Sequence, residues 1–256
     1  IIEMAHRRGV CVMVDNTFGC GGYLFRPIEW GANVVIHSAT KWICGHGTSL
    51  GGVVVDGGNF EWSEEKYPLL AAPAESYHGL VYKEVFGDAA FAGRVRVDGL
   101  RNFGPSASPF NSFLMLQGLE TLSLRAQRCC DNTLALAQWL EGHEAIESVN
   151  YPGLKSNPYH TLACKYLQHG FGGVLTFRVK SGFEGAAELV SKLELILHVG
   201  SVGDSKSLIV HPASTTHSQL SESERVAAGV YPNMLRLSVG IENVDDLIAD
   251  LAAALH

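Results

Sequence analysis

The sequence predicts an α/β protein that continues into a smaller α+β portion toward its C-terminus. Three observations predict it. Two short apolar runs, Val10-Cys-Val-Met-Val14 and Val34-Val-Ile36, end on Asp15-Asn-Thr17 and His37-Ser-Ala-Thr-Lys41. Continuous apolar runs of this kind read as buried parallel strands. In the first half such runs alternate with helix-like stretches, punctuated by Gly and Pro. In the second half strand-like and helix-like pieces alternate in a pattern that suits α+β layering.

The elements follow in order. Ile1-Ile-Glu-Met-Ala-His-Arg-Arg-Gly9 reads as the end of an amphipathic helix closed by a glycine, with no initiator Met and no signal peptide. The reading therefore expects a missing N-terminal portion. Strands are expected near 10–14, 34–37 and 52–55, and helices at about 89–103 and 111–139. Within the second helix Phe113, Leu116, Leu119, Leu122 and Leu124 mark one apolar side. A Gly/Pro/Ser loop, 104–110, separates the two helices. Further strands are expected at 146–150, 174–179, 208–211 and 235–239, and further helices near 158–167, 183–193, 222–228 and 244–255. The stretch 125–139 is the natural hinge between residues 1–139 and 140–256.

Composition excludes several classes. The chain has 256 residues, of which 46% are hydrophobic, so it can build a sizeable core. Its formal net charge of −7, with Lys and Arg scattered, gives no nucleic-acid footprint. No apolar stretch approaches the roughly 20 residues needed to span a bilayer. The six cysteines form no CxxC pair, and they read as reduced thiols of a cytoplasmic protein. No HExxH marks a zinc site among the eleven histidines. His37, His46, His211 and His217 flank the candidate site and read first as loop histidines bonded to backbone.

The chemistry centres on Asp15 and Lys41. Ligands of open α/β sheets bind beyond the carboxyl ends of the strands, so both side chains are delivered to one crevice. An amine, a carboxylate and the hydroxyls of Ser38 and Thr40 together suit pyridoxal phosphate. The amine condenses with the aldehyde, the acid faces the pyridine nitrogen and the hydroxyls hold the phosphate. Residues 42–47, rich in glycine, bring backbone close to a ligand. Taken alone, Lys41 could be a surface lysine and Asp15 a turn residue. Ser38-Ala-Thr-Lys41 also matches the S-x-x-K signature of serine acyl enzymes, with Lys180-Ser-Gly182 and Tyr231-Pro-Asn233 as its companions. Those companions stand in the wrong order, and no helix is expected to begin at Ser38. Gly45-His-Gly47 lacks the third glycine of a dinucleotide fingerprint, and no P-loop is present.

Val14-Asp-Asn-Thr17 followed by His37-Ser-Ala-Thr-Lys-Trp42 resembles the Cys/Met-metabolism family of pyridoxal-phosphate enzymes. The resemblance runs through essentially the whole chain. Four stretches look closest to the O-acetylhomoserine sulfhydrylase branch: 19–28, 76–80, 116–125 and 211–220. The resemblance implies a fold-type-I, aminotransferase-like large domain, here its C-terminal part at 1–139, and a small domain at 140–256. It implies that Lys41 carries the cofactor, Asp15 pairs with the pyridine nitrogen, Thr17 lies near the ring, and Ser38 and Thr40 touch the phosphate. It also implies that Arg236 clamps the substrate α-carboxylate, a task arginine performs through paired hydrogen bonds. Ser201 matches a loop that approaches the same carboxylate. There the sulfhydrylases usually carry Asn, so Ser201 looks more like the synthases and lyases.

The implied reaction is γ-replacement on O-acetylhomoserine by sulfide or a thiol, giving homocysteine or methionine and acetate. The alternatives are a cystathionine γ-synthase or γ-lyase, or an inactive truncated fragment. The resemblance further implies a homo-oligomer, a homotetramer built from dimers that share active sites, and no nucleic-acid or membrane partner.

Overall fold

The computed structural model describes residues 1–255; His256, the last residue of the expected second domain, lies outside them. In chain order the regular elements are α1 (Ile2–His6), β1 (Met13–Asp15), β2 (Val34–Ser38), β3 (Gly52–Asp56), α2 (Pro68–Ala71), α3 (Tyr82–Phe86), α4 (Ala90–Arg94), α5 (Arg101–Phe103), α6 (Pro109–Glu120), α7 (Leu122–Glu141), β4 (Ile146–Asn150), α8 (His160–Tyr166), β5 (Val174–Val179), α9 (Gly182–Lys192), β6 (Leu197–His198), β7 (Leu208–Val210), α10 (Glu222–Ala227), β8 (Met234–Ser238) and α11 (Val244–Leu255). The result is the mixed α/β architecture that the sequence predicts.

Two sheets organise the chain. The first has the order β1-β2-β3. Strands β1 and β2 run parallel, with Asp15 beside Ile36. Strand β3, for which the sequence sets no direction, runs antiparallel to β2. Residues 39–51 join the two without a crossover helix, so the chain must reverse. Val53, Val54 and Val55 are also exposed rather than buried. The second sheet has the order β4-β5-β8-β7-β6 and is antiparallel except where β6 joins β7.

The second sheet carries the main core. Leu175 and Phe177 of β5 and Leu235 and Leu237 of β8 face Leu136 and Leu140 of α7, Leu189 of α9 and Leu247 and Leu251 of α11. Each such side chain contributes roughly 1.5–3 kcal/mol by leaving water. Local signals set the flanking helices. Ser221 and Glu224 form a reciprocal capping box at the start of α10. Asp245 and Asp246 sit in the first turn of α11, where the helix dipole favours acid.

The expected helix at 111–139 is two helices, α6 and α7, broken at Thr121, whose ψ of 7° is not helical. Its apolar side is also not a core face. Phe113, Leu116, Leu119 and Leu124 are exposed, and of the five only Leu122 is buried. After the kink, Leu122 is joined inward by Ala126 and Cys130, packed against Cys20, Leu24 and Trp42. Farther along, Leu136 and Leu140 join the second core. Helix α7 thus touches both sheets' surroundings. The six cysteines are unpaired. Among the described residues no helix is long and apolar enough to cross a membrane.

Candidate active site

The site grows from the C-terminal ends of β1 and β2. Asp15 closes β1, and its Oδ1 accepts the Thr17 amide at 2.9 Å. Thr17 then reaches across to β2, its Oγ1 accepting the Ser38 amide at 2.8 Å. The Thr17 hydroxyl, and then its amide, hold the Asp15 carboxyl below the usual carboxylate range. Asp15 therefore stays an anion on an exposed strand end, ready for a cationic partner.

Beyond Ser38 the chain turns sharply. The Lys41 amide bonds the Ser38 carbonyl at 3.2 Å, Cys44 bonds Ala39 at 2.8 Å and Gly45 bonds Lys41 at 2.7 Å. Gly45 (φ 72°) and Gly47 (φ 63°) make the turn possible, because left-handed backbone suits glycine. The Lys41 side chain leaves this turn and donates from Nζ to Ser201 Oγ at 2.8 Å. The Ser38 side chain makes no hydrogen bond among the described residues and is free for a ligand. Thr40 is more committed. Its Oγ1 accepts the Gly51 amide at 3.0 Å and approaches the Gly51 carbonyl at 3.4 Å.

The 201–206 loop closes over the same turn. Gly203 (φ 74°) packs flat on Trp42, where a Cβ would lie 2.7 Å from the indole. Its amide donates to Ser238 Oγ at 3.0 Å, and the Ser205 amide bonds the Gly45 carbonyl at 2.8 Å. Arg236 stands two residues before Ser238 on β8, between Thr176 and Val210. Leu235 and Leu237 point into the core, so Arg236 shares the face of Ser238, roughly 7 Å along the strand. The guanidinium is half-buried, which lowers its pKa, and has no ion pair or hydrogen bond among the described residues. Thus Asp15, Thr17, Ser38, Lys41 and Ser201 form one bonded chain of contacts. Arg236 lies on β8 of the second sheet, and no hydrogen bond or ion pair joins it to them among the described residues.

Three of the four flanking histidines bond locally. His46 Nδ1 donates to the Cys44 carbonyl at 2.6 Å, His211 Nε2 to the Pro232 carbonyl at 2.7 Å, and His217 pairs with the Thr216 hydroxyl. His37 differs. It is a buried residue of β2 itself, its Nδ1 has no partner among the described residues, and burial lowers its pKa while the Asp15 charge pulls the other way.

Sequence reasoning missed two neighbours of Lys41: Trp42, buried under Gly203, and Arg125, buried against the turn. Arg125 ends the stretch 116–125 that the sequence reading singled out, but nothing in the pattern of that stretch tells a buried guanidinium from a surface one. A cavity of about 760 Å³ lies elsewhere, between Met13, Trp62, Tyr67 and Phe91, and none of the candidate residues lines it.

The residues fit pyridoxal phosphate. The ionised Asp15 suits a protonated pyridine nitrogen, the tethered Lys41 amine suits an aldehyde, and the free Ser38 hydroxyl suits a phosphate oxygen. Comparisons with known proteins bear on the same point. A family profile described as Cys/Met metabolism PLP-dependent enzyme matches residues 1–256. The chain is 52% identical over 255 residues to O-acetyl-L-homoserine sulfhydrylase 1 of Thermus thermophilus, covering 100% of this chain and 61% of that protein. It is 50% identical over 262 residues to homocysteine/cysteine synthase of Saccharomyces cerevisiae, covering 98% and 59%. A solved structure of a putative O-acetylhomoserine (thiol)-lyase from Campylobacter jejuni, containing N'-pyridoxyl-lysine-5'-monophosphate, superposes with a TM-score of 0.94 at 41% identity. That match covers 99% of this chain and 61% of the other. The chain therefore spans about three fifths of the length of these relatives.

Proposed function

The chain belongs to the Cys/Met metabolism PLP-dependent enzyme family, and from that premise we propose that the whole protein replaces the acetyl ester of O-acetylhomoserine with sulfide, giving homocysteine and acetate. The observation that carries the reading is the meeting of Asp15 and Lys41 at the ends of two adjacent parallel strands, with Lys41 Nζ held on Ser201 Oγ. The names of the relatives, O-acetyl-L-homoserine sulfhydrylase and homocysteine/cysteine synthase, support the choice of substrate.

Bound pyridoxal phosphate supplies an electron sink for the carbanion at the substrate Cα. The chain's residues do the rest. Asp15 holds a proton on the pyridine nitrogen, and its depressed pKa keeps it anionic for that task. Thr17 orients Asp15 through its amide and ties the end of β1 to β2. Ser38 and Thr40 bind the phosphate; the hold of Gly51 on Thr40 fixes that hydroxyl in place. Lys41 Nζ takes the proton from Cα as general base. Arg236 binds the α-carboxylate through its planar fork, and Ser201 steadies Lys41 and approaches the same carboxylate. A further proton leaves Cβ, acetate departs from Cγ with the C–O bonding pair, hydrosulfide adds at Cγ, and protons return to Cβ and Cα to give homocysteine.

The division into a cofactor-binding unit up to residue 139 and a C-terminal unit from 140 belongs to this reading. So do a homo-oligomer with shared sites and a cytoplasmic location, which the six unpaired cysteines support. Cystathionine γ-synthase or γ-lyase activity is the second reading, favoured by serine at 201. Assaying the full-length protein with O-acetylhomoserine plus sulfide, and separately with cystathionine, tests both. Homocysteine and acetate in equal amounts from the first mixture support the proposal. Turnover of cystathionine alone overturns it. Lys41→Ala should abolish turnover while leaving the fold intact.

A further inference from the structure

Arg125 is only 6% exposed, yet no carboxylate pairs with it among the described residues. Its charge is met by backbone carbonyls instead. Nη1 donates to the Trp42 carbonyl at 3.0 Å, and Nη2 donates to the Gly118 carbonyl at 2.6 Å and reaches the Ile43 carbonyl at 3.5 Å. Nε donates to Thr121 Oγ1 at 3.1 Å, at the break between α6 and α7. The fit leaves no slack. A Cβ on Gly45 would lie 2.0 Å from Nη1, and a Cβ on Gly118 would lie 2.2 Å from the Cys44 carbonyl. Burying an unpaired cation is costly, so a fold that keeps one there has a local reason to do so.

The four acceptors belong to two segments, the turn just after Lys41 and the α6–α7 joint. We infer that Arg125 is a positioning residue for Lys41: it locks the 42–45 turn onto that joint, so that the Lys41 amine is presented to Ser201 and the ligand. The planar fork is what lets one side chain hold carbonyls of both segments. An ammonium is a point charge and cannot span them in the same way. The Thr121 kink places α7 so that residue 125 faces the turn, which explains why α6 and α7 are not one straight helix. The inference rests on Lys41 being the cofactor lysine.

The test uses full-length holoprotein carrying Arg125→Lys or Gly118→Ala. The second variant leaves the charge in place and pushes the Cys44 carbonyl away. Three readouts are taken: amide hydrogen exchange at Cys44 and Gly45, borohydride trapping of a pyridoxyl group on Lys41, and steady-state kinetics. We expect faster exchange confined to the turn, a trapped group still on Lys41, and a kcat reduced roughly 10–100-fold with little change in KM. Exchange and kcat both at the wild-type level would overturn the inference, as would slower turnover with unaltered exchange at the turn. Should Arg125→Lys not fold, Gly118→Ala decides by the same readouts. A wild-type protein that traps no pyridoxyl group on Lys41 would sink the cofactor reading and this inference with it. Trapping on Lys41 with unaltered variants would sink this inference alone.

Discussion

Lys41 Nζ donates a 2.8 Å hydrogen bond to Ser201 Oγ, although 160 residues of sequence separate them. The bond joins the turn after β2 to a loop that precedes β7. That loop is itself anchored to β8 through Gly203 and Ser238. Segments that leave each of the two sheets therefore meet at one amine, and the position of the C-terminal sheet bears directly on it.

Removing the hydroxyl should loosen the amine without harming the core, since Ser201 is only half-buried. A single hydrogen bond is worth about 1 kcal/mol net. Ser201→Ala in the full-length protein should therefore lower kcat by about fivefold. Ser201→Asn, which restores an acceptor, should recover most of the loss. Steady-state kinetics with circular dichroism as a fold check would decide. Equal kcat for wild type and Ser201→Ala would remove the tether from the account.

The Asp15–Thr17 pair predicts a pH effect with a definite sign. The folded carboxyl titrates below its ordinary value because Thr17 bonds its anionic form. A depressed acid contributes stability that is present above its unfolded pKa and is lost as pH falls through the lowered folded value. Thr17→Val should move the Asp15 titration upward, and the stability gap between the two proteins should close in acid. The contribution is small, because Asp15 is exposed. Carboxyl carbon shifts followed against pH would show it. A titration of Asp15 that Thr17→Val leaves in place would contradict it.

The thiols divide by burial. Burial pushes Cys129 up to about 12 and Cys130 up to about 11, and Cys20 is also raised well above the ordinary value. Thiolate is the reactive form, so none of the three should be alkylated at pH 8. Cys164 is exposed on α8 and should react first with iodoacetamide, and peptide mass mapping would give the order. Modification of Cys129 before Cys164 in folded protein would mean that the α7 packing is wrong.

Much of this was legible in the sequence, for identifiable reasons. The strand at 174–179 and the helix at 244–255 lie where the sequence predicts them, because the apolar period of each matches a single buried face. Asp15, Ser38 and Lys41 stood out because polar residues ending apolar runs mark strand ends. The α6–α7 break at Thr121 was not legible. Leu119, Leu122 and Leu124 continue an apolar pattern across it, and only tertiary contact shows that Leu122 goes inward while Leu119 and Leu124 stay outside. The direction of β3 was hidden as well, since Gly52-Val-Val-Val55 reads alike in either sense. Arg125 was invisible because burial of a charge depends on carbonyls supplied from residues 42, 43 and 118. No local pattern records that.

Arg236 brings stability and function into opposition. It is half-buried on β8, and neither carboxylate nor carbonyl meets its guanidinium among the described residues. An unmet, partly desolvated charge is unfavourable until an anion arrives. Replacing it with Met keeps the stem's apolar contacts and removes the charge. Arg236→Met should therefore raise the stability of the ligand-free protein, on the order of 1 kcal/mol, as substitutions at strained functional positions often do. In the role proposed for Arg236, the same change removes a carboxylate contact made from ground state to transition state, so KM should rise with kcat little altered. Arg236→Lys should fall between, because one ammonium cannot make the paired bond. Thermal melts and steady-state kinetics on the same three proteins provide the check. A variant that melts lower and keeps its KM would show that Arg236 serves the fold rather than the substrate.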